Sequence, residues 1–89
     1  MRWKIKFEKN AKRSLEKLDK PIKNKKQIEN YLDRLAQLDD PRQRGKGLTT
    51  SRAGQWRYRV GDYRLICEIR DNILIILVLE IGHRSDIYN

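Results

Sequence analysis

Arg57, Arg59 and Arg64 are the residues whose type and spacing point most directly to chemistry. They lie in Gln55-Trp56-Arg57-Tyr58-Arg59-Val60-Gly61-Asp62-Tyr63-Arg64-Leu65-Ile66-Cys67-Glu68-Ile69, which reads as two strands joined at Gly61-Asp62. Glycine at the first central position suits a type II′ hairpin turn. That turn pairs Val60 with Tyr63 and sets Arg59 directly opposite Arg64. Period-two alternation then places Trp56, Tyr58, Val60, Tyr63, Leu65, Cys67 and Ile69 on one apolar face and the three arginines on the other. Like charges facing each other across a strand pair destabilise it, by up to about 1 kcal/mol. Three guanidiniums on a rigid sheet are therefore expected to grip a polyanion, such as one phosphate and its neighbour. A solvated face with no ligand is the plainer alternative.

The C-terminal stretch His83-Arg84-x-x-x-Tyr88 is the second candidate. Histidine is the side chain whose unperturbed pKa lies near neutrality, so His83 is the natural proton donor or acceptor. Arg84 suits stabilisation of a pentavalent phosphorane, and Tyr88 suits stacking on a base. The plainer reading is a terminal turn with a surface histidine and a tyrosine packed on the core. A third group is basic and diffuse: Lys20, Lys23, Lys25 and Lys26 on a helix surface with Lys9, Lys12, Arg13 and Lys17, and Arg44, Lys46 and Arg52 in a loop. A soluble helix face explains most of those lysines. As RNA-binding residues they would make non-specific, salt-dependent phosphate contacts.

Other chemistries find no support. One histidine and one apolar-face cysteine make no zinc site, and the carboxylates show no paired spacing. No metal and no cofactor is expected. Gly45-Lys46-Gly47 is a loop and not a phosphate-binding motif. Cys67 reads as core filler rather than a nucleophile.

The elements that must position these residues follow from periodicity. Trp3, Ile5 and Phe7 alternate with Lys4 and Lys6, giving a first strand. Ala11, Leu15 and Leu18 carry a helix from about Glu8 to Leu18. Pro21 opens a second helix, with Ile22, Ile28, Tyr31, Leu32, Leu35 and Leu38 inward, ending near Asp39-Asp40-Pro41. Residues 41–54 read as a loop, with Leu48 as its anchor into the core. After the hairpin, a two-residue turn at Asp71-Asn72 leads to a last strand, Ile73 to Ile81, apolar on both faces and so interior. The order is β-α-α-β-β-β. It predicts one α+β domain over 1–89, with a two-helix hairpin on one face of a mostly antiparallel four-stranded sheet. Whether the first strand pairs with the second or the fourth stays open. Ile73, Ile75, Leu77 and Leu79 would share the arginine side without a cover, which calls for a partner.

At 89 residues and a net charge of +9, the chain is one small domain suited to nucleic acid, the ribosome, an acidic protein or an anionic surface. The apolar run from Ile73 to Leu79 is too short to span a bilayer, and no signal peptide is visible. A single cysteine fits a reducing cytoplasm.

Leu48, the segment from Gln55 to Leu65, and the ending Ile81-Gly82-His83-Arg84-x-x-x-Tyr88 together resemble the RelE/ParE superfamily of toxins from toxin–antitoxin pairs. The resemblance runs over the whole chain. It implies the RelE branch: a ribosome-dependent mRNA endoribonuclease that enters the A site and cuts without metal. The 2′-hydroxyl attacks the adjacent phosphate and leaves a 2′,3′-cyclic end. Arg57 and Arg59 occupy the places of two cations on the hairpin's first strand, where the best-studied members carry lysines. Arg64 matches the arginine after the turn, His83 or Arg84 the basic residue after the last strand, and Tyr88 the terminal tyrosine. A guanidinium is a poor general base. Either positioning and charge stabilisation dominate, or His83 moves a proton. The resemblance also implies an acidic antitoxin over the Ile73/Ile75/Leu77/Leu79 face, a monomeric free toxin and a hetero-oligomeric complex. A ParE-like DNA gyrase inhibitor, or an inactive relative that only binds its antitoxin, are the alternatives.

Overall fold

The computed structural model describes residues 2–19 and 22–83. The Trp3, Ile5, Phe7 alternation forms β1 (Lys4–Phe7), and the chain then runs through α1 (Lys9–Glu16) and α2 (Ile22–Leu35). The sheet is completed by β2 (Lys46–Gly47), β3 (Gln55–Val60), β4 (Tyr63–Arg70) and β5 (Ile75–His83). Strand order is β1-β5-β4-β3-β2, with β1 parallel to β5 and every other pairing antiparallel. The first strand thus pairs with the last. The sheet has five strands rather than four, because the residues around Gly47 bond to β3. Pro21, expected at the helix entry, lies outside the described residues.

Both helices cover one face. Ala11 and Leu15 of α1 and Ile28, Leu32 and Leu35 of α2 pack on Tyr58, Val60, Leu65, Cys67, Ile76, Val78 and Ile81. Each fully buried Leu or Ile contributes about 1.5–3 kcal/mol, so this layer holds the domain together. Tyr58 donates its hydroxyl to the Pro41 carbonyl at 2.8 Å, and its ring centroid lies 5.9 Å from that of Tyr31. Burial pushes the Cys67 thiol up to about 12, which keeps it protonated and inert, as core filler should be. Among the described residues, no helix is long and apolar enough to cross a membrane.

Four boundaries differ from expectation. First, α2 stops at Leu35, not near Asp39. The Ala36 carbonyl accepts from the Trp3 amide and the Asp39 carbonyl from the Trp3 indole, so these groups serve β1 instead of the helix. Second, residues 41–54 hold two short 3-10 turns and β2, and their buried anchor is Pro41 rather than half-buried Leu48.

Third, the β4–β5 connection takes four residues, 71–74, not two. Arg42 grips Asp71 with two guanidinium nitrogens, at 3.0 and 2.7 Å, and Leu74 turns left-handed at φ 53°. Ile73 and Leu74 are therefore exposed turn residues, 51% and 44%, and not strand. Fourth, β5 carries a bulge. Cys67 pairs with Val78 but Ile66 pairs with Glu80, leaving Leu79 as the extra residue. The bulge reverses the alternation: Ile76, Val78 and Ile81 are buried, while Ile75, Leu77 and Leu79 are only half-buried. The expected stripe over Ile73, Ile75, Leu77 and Leu79 is broken at both ends, and β5 is covered by helices on one side alone.

The Arg42 fork holds the Asp71 carboxyl below its usual range. Its contribution is thus present above about pH 5, where an unfolded-chain aspartate is ionised, and is lost as pH falls through the lowered folded value. Asp71→Asn should therefore lower the urea midpoint at pH 7, and its deficit against the native chain should be smaller at pH 3. An equal deficit at both pH values would assign the effect to hydrogen bonding alone.

Candidate functional site

The hairpin register is the expected one. Gly61, at φ 60°, makes the turn, Val60 pairs with Tyr63, and Arg59 stands opposite Arg64. Because Tyr58, Val60 and Leu65 are buried under the helices, the alternating residues Arg57, Arg59 and Arg64 face away from them. Arg59 is exposed, while Arg57 and Arg64 are half-buried. The Arg57 guanidinium is held below its ordinary pKa, first by burial and then by the charges of Arg64 and Arg59. The three cations therefore lie within electrostatic reach of one another. The Nε of Arg64 is buried and bonds no acceptor among the described residues. Such a donor is costly to leave unmatched unless an anion arrives.

The neighbouring strands widen this surface. Lys46 pairs with Arg57, Arg57 with Ile66, and Ile66 with Glu80, so these four form one rung across the open face. Glycine at position 45 permits the approach. Its φ is +77°, and an added Cβ would stand 2.3 Å from the Arg57 carbonyl. Arg52 closes the rung from the connection before β3 by pairing with the Glu80 carboxylate. On the next rung Glu68 pairs with Arg70. Glu80 was not foreseen, yet a signal existed. Unbroken alternation from Ile76 and Val78 would have buried its carboxylate, which strands avoid by bulging.

The same bulge decides the place of His83. Strict alternation from Leu77 would turn it toward the arginines. Instead it pairs with Tyr63, on the helix side, with ring centroids 5.6 Å apart and edge to face. There it lines a polar cleft of about 470 Å³ with Asn24, Gln27, Gly61, Asp62 and Tyr63. The sheet thus separates His83 from Arg57, Arg59 and Arg64. Arg84 and Tyr88 lie outside the described residues.

Of the diffuse basic residues, Lys46 and Arg52 join the arginine face. Arg44 does not, since its guanidinium hydrogen-bonds Tyr31, partly offsetting the upward push of burial on that phenol. Lys25 and Lys26 belong to α2, on the opposite side of the sheet, where Lys26 flanks a groove with Ile5 and Phe7. Of Lys23 only the backbone, in α2, is described, and Lys20 lies outside the described residues. Among the described residues, no three His, Cys, Asp or Glu side chains converge in a way that could hold a metal ion.

Comparison with known proteins bears on what such a face does. The family model described as "ParE toxin of type II toxin-antitoxin system, parDE" matches residues 5–88. Toxin RelG of Mycobacterium tuberculosis is 39% identical over 49 residues, a stretch covering 55% of this chain and 56% of that relative's length. A chain of the toxin–antitoxin complex RelBE2 from the same organism superposes with a TM-score of 0.70 at 29% identity, covering 97% of this chain and 95% of that one. A chain of the archaeal RelE–RelB complex from Pyrococcus horikoshii superposes with a TM-score of 0.74 at 23% identity, over 98% of this chain and all of the other.

Charge crowding on the face has a measurable cost. Arg59→Gln removes one member of the facing arginine pair and should stabilise the free chain by up to about 1 kcal/mol. Urea denaturation at low salt reads the gain, which should shrink as added salt screens the repulsion. A loss of stability would show that the two guanidiniums do not repel.

Proposed function

Since the chain belongs to the RelE/ParE superfamily of toxins from type II toxin–antitoxin systems, we propose that its arginine face binds the backbone of translated mRNA and cuts it on the ribosome. What supports this reading is the gathering of Arg57, Arg59 and Arg64 on one open face, with Arg57 partly desolvated beside its neighbours. Guanidiniums in a desolvated setting bind phosphate oxygens more strongly than in bulk water. The reaction is an in-line transfer. The 2′-oxygen gives its proton to a solvent water and bonds to the adjacent phosphorus. The bond from phosphorus to the 5′-oxygen breaks, giving a 2′,3′-cyclic phosphate and a 5′-hydroxyl.

Arg57, Arg59 and Arg64 stabilise the extra negative charge on the phosphorane and align the strand. None of them is suited to take the 2′ proton, so catalysis rests chiefly on positioning and charge. We assign protonation of the leaving oxygen to Arg84, and stacking on the substrate base to Tyr88. His83, turned to the helix side, is left out of the proton transfers. In the cytoplasm the free chain is held in check by an acidic antitoxin, which its charge of +9 would draw in rapidly.

A second reading has one observation in its favour: the matching family model is that of the ParE toxins. On that reading the chain inhibits DNA gyrase and cuts no RNA.

Induction in a bacterial host, followed by primer extension on translated messages, separates the two. Cuts within A-site codons are expected, and Arg64→Ala should reduce them about 10²–10³-fold, the usual cost of one transition-state donor. DNA breaks with intact messages would establish the gyrase reading instead. In single-turnover cleavage on programmed ribosomes, His83→Ala should leave the pH profile unchanged. Loss of the limb that falls as pH rises would return the general-acid role to His83.

A further inference from the structure

A phosphate-binding face has little use for a carboxylate, yet Glu80 stands on this one. Glu80 ends the rung Lys46–Arg57–Ile66–Glu80, and Arg52 pairs with it from the connection between β2 and β3. Glu80 sits on β5, separated from β3 by β4, and Arg52 lies in the connection that leads into β3, so their contact joins parts of the fold that are not neighbouring strands. Both helices lie on the other side of the sheet, yet Ile66, in the middle of the rung, has no exposed surface and takes no part in the main core. Its cover therefore comes from its own face. Glu80 is its strand partner there, and Arg52 pairs with Glu80. Both partners remain partly open to water, at 38% and 42% side-chain exposure, so the contact can exchange.

We propose that this pair is a phosphate-exchangeable clasp, with Arg52 a fourth phosphate ligand of the face and Glu80 its resident anion. While the face is empty, Glu80 occupies Arg52 and orients it. An entering phosphodiester replaces the carboxylate on Arg52. Glu80, freed, stays next to the strand and disfavours further phosphates on that side, which sets the path of the backbone toward Arg64 and Arg59. An exposed ion pair is worth no more than about 1 kcal/mol, small enough for a phosphate backed by three further cations to displace. The inference rests on the proposed binding of a nucleic-acid backbone to this face, but not on cleavage.

Binding of a fluorescent single-stranded RNA 12-mer, measured by anisotropy across a salt series, tests the clasp. Glu80→Gln keeps the side chain's shape and removes its charge. It should tighten binding about two- to fivefold, the fold-change that corresponds to one exposed ion pair. It should also steepen the salt dependence toward one more released counterion, a slope change of about 0.7 on single strands. In an Arg52→Ala background the same substitution should tighten binding by clearly less, because only the carboxylate's repulsion is removed and there is no guanidinium to free. Unchanged or weaker binding by Glu80→Gln would overturn the clasp. So would tightening undiminished by Arg52→Ala, since Glu80 would then act on RNA through space alone. A native chain that binds the 12-mer without cutting messages would sink the nuclease reading and leave the clasp intact; one that does not bind would sink both. Thermal melts confirm that each variant is folded.

Discussion

A small sheet with helices on one side only must give the other side to water, and that asymmetry governs this molecule. The helix-facing side takes Tyr58, Val60, Leu65, Cys67, Ile76, Val78 and Ile81 and supplies the stability. Every intervening side chain is thereby assigned to the opposite side. Arg57, Arg59 and Arg64 are held together against their mutual repulsion because moving any of them would require a strand to slip. A one-residue slip would turn the apolar set outward. The hydrophobic layer thus sets the geometry of the charged one.

Among the described residues, the bulge at Leu79 is the one place where this rule changes along a strand. It moves Ile81 into the core, brings Glu80 to the arginines and takes His83 away from them. Three residues exchange environments through a single unpaired one. The chemical character of the face follows: it holds guanidiniums, a lysine and paired carboxylates, and no imidazole among the described residues.

The hairpin was fully legible in the sequence. Gly61 at the turn and strict alternation on either side determine partners and faces without knowledge of the rest of the chain. The helices were legible in number and inward face, but α2's end was not, because Trp3 claims carbonyls 33 residues and more away. Long-range acceptors of that kind leave no mark on local periodicity. The length of the β4–β5 turn leaves no local mark for a similar reason: Asp71 answers to Arg42, across the fold. The two-residue β2 is too short for any periodic signal and exists because Gly45 lets the backbone approach β3. The site was legible where it rests on the hairpin. It was not legible at His83 and Glu80, whose placement depends on a single inserted residue.

The outer margins of the sheet carry a further consequence. β1 has four residues and β2 two, and these are the strands with an open side. Exposed Lys4 and Lys6 stand on the first, and exposed Lys46 on the second. Short, lysine-bearing borders are poor templates for another copy to extend, since stacking would bring ammonium groups together. A chain built this way offers only short, lysine-bearing outer strands to a second copy, and these cover Ile75–Val78 of β5 and Trp56 and Arg57 of β3 from it.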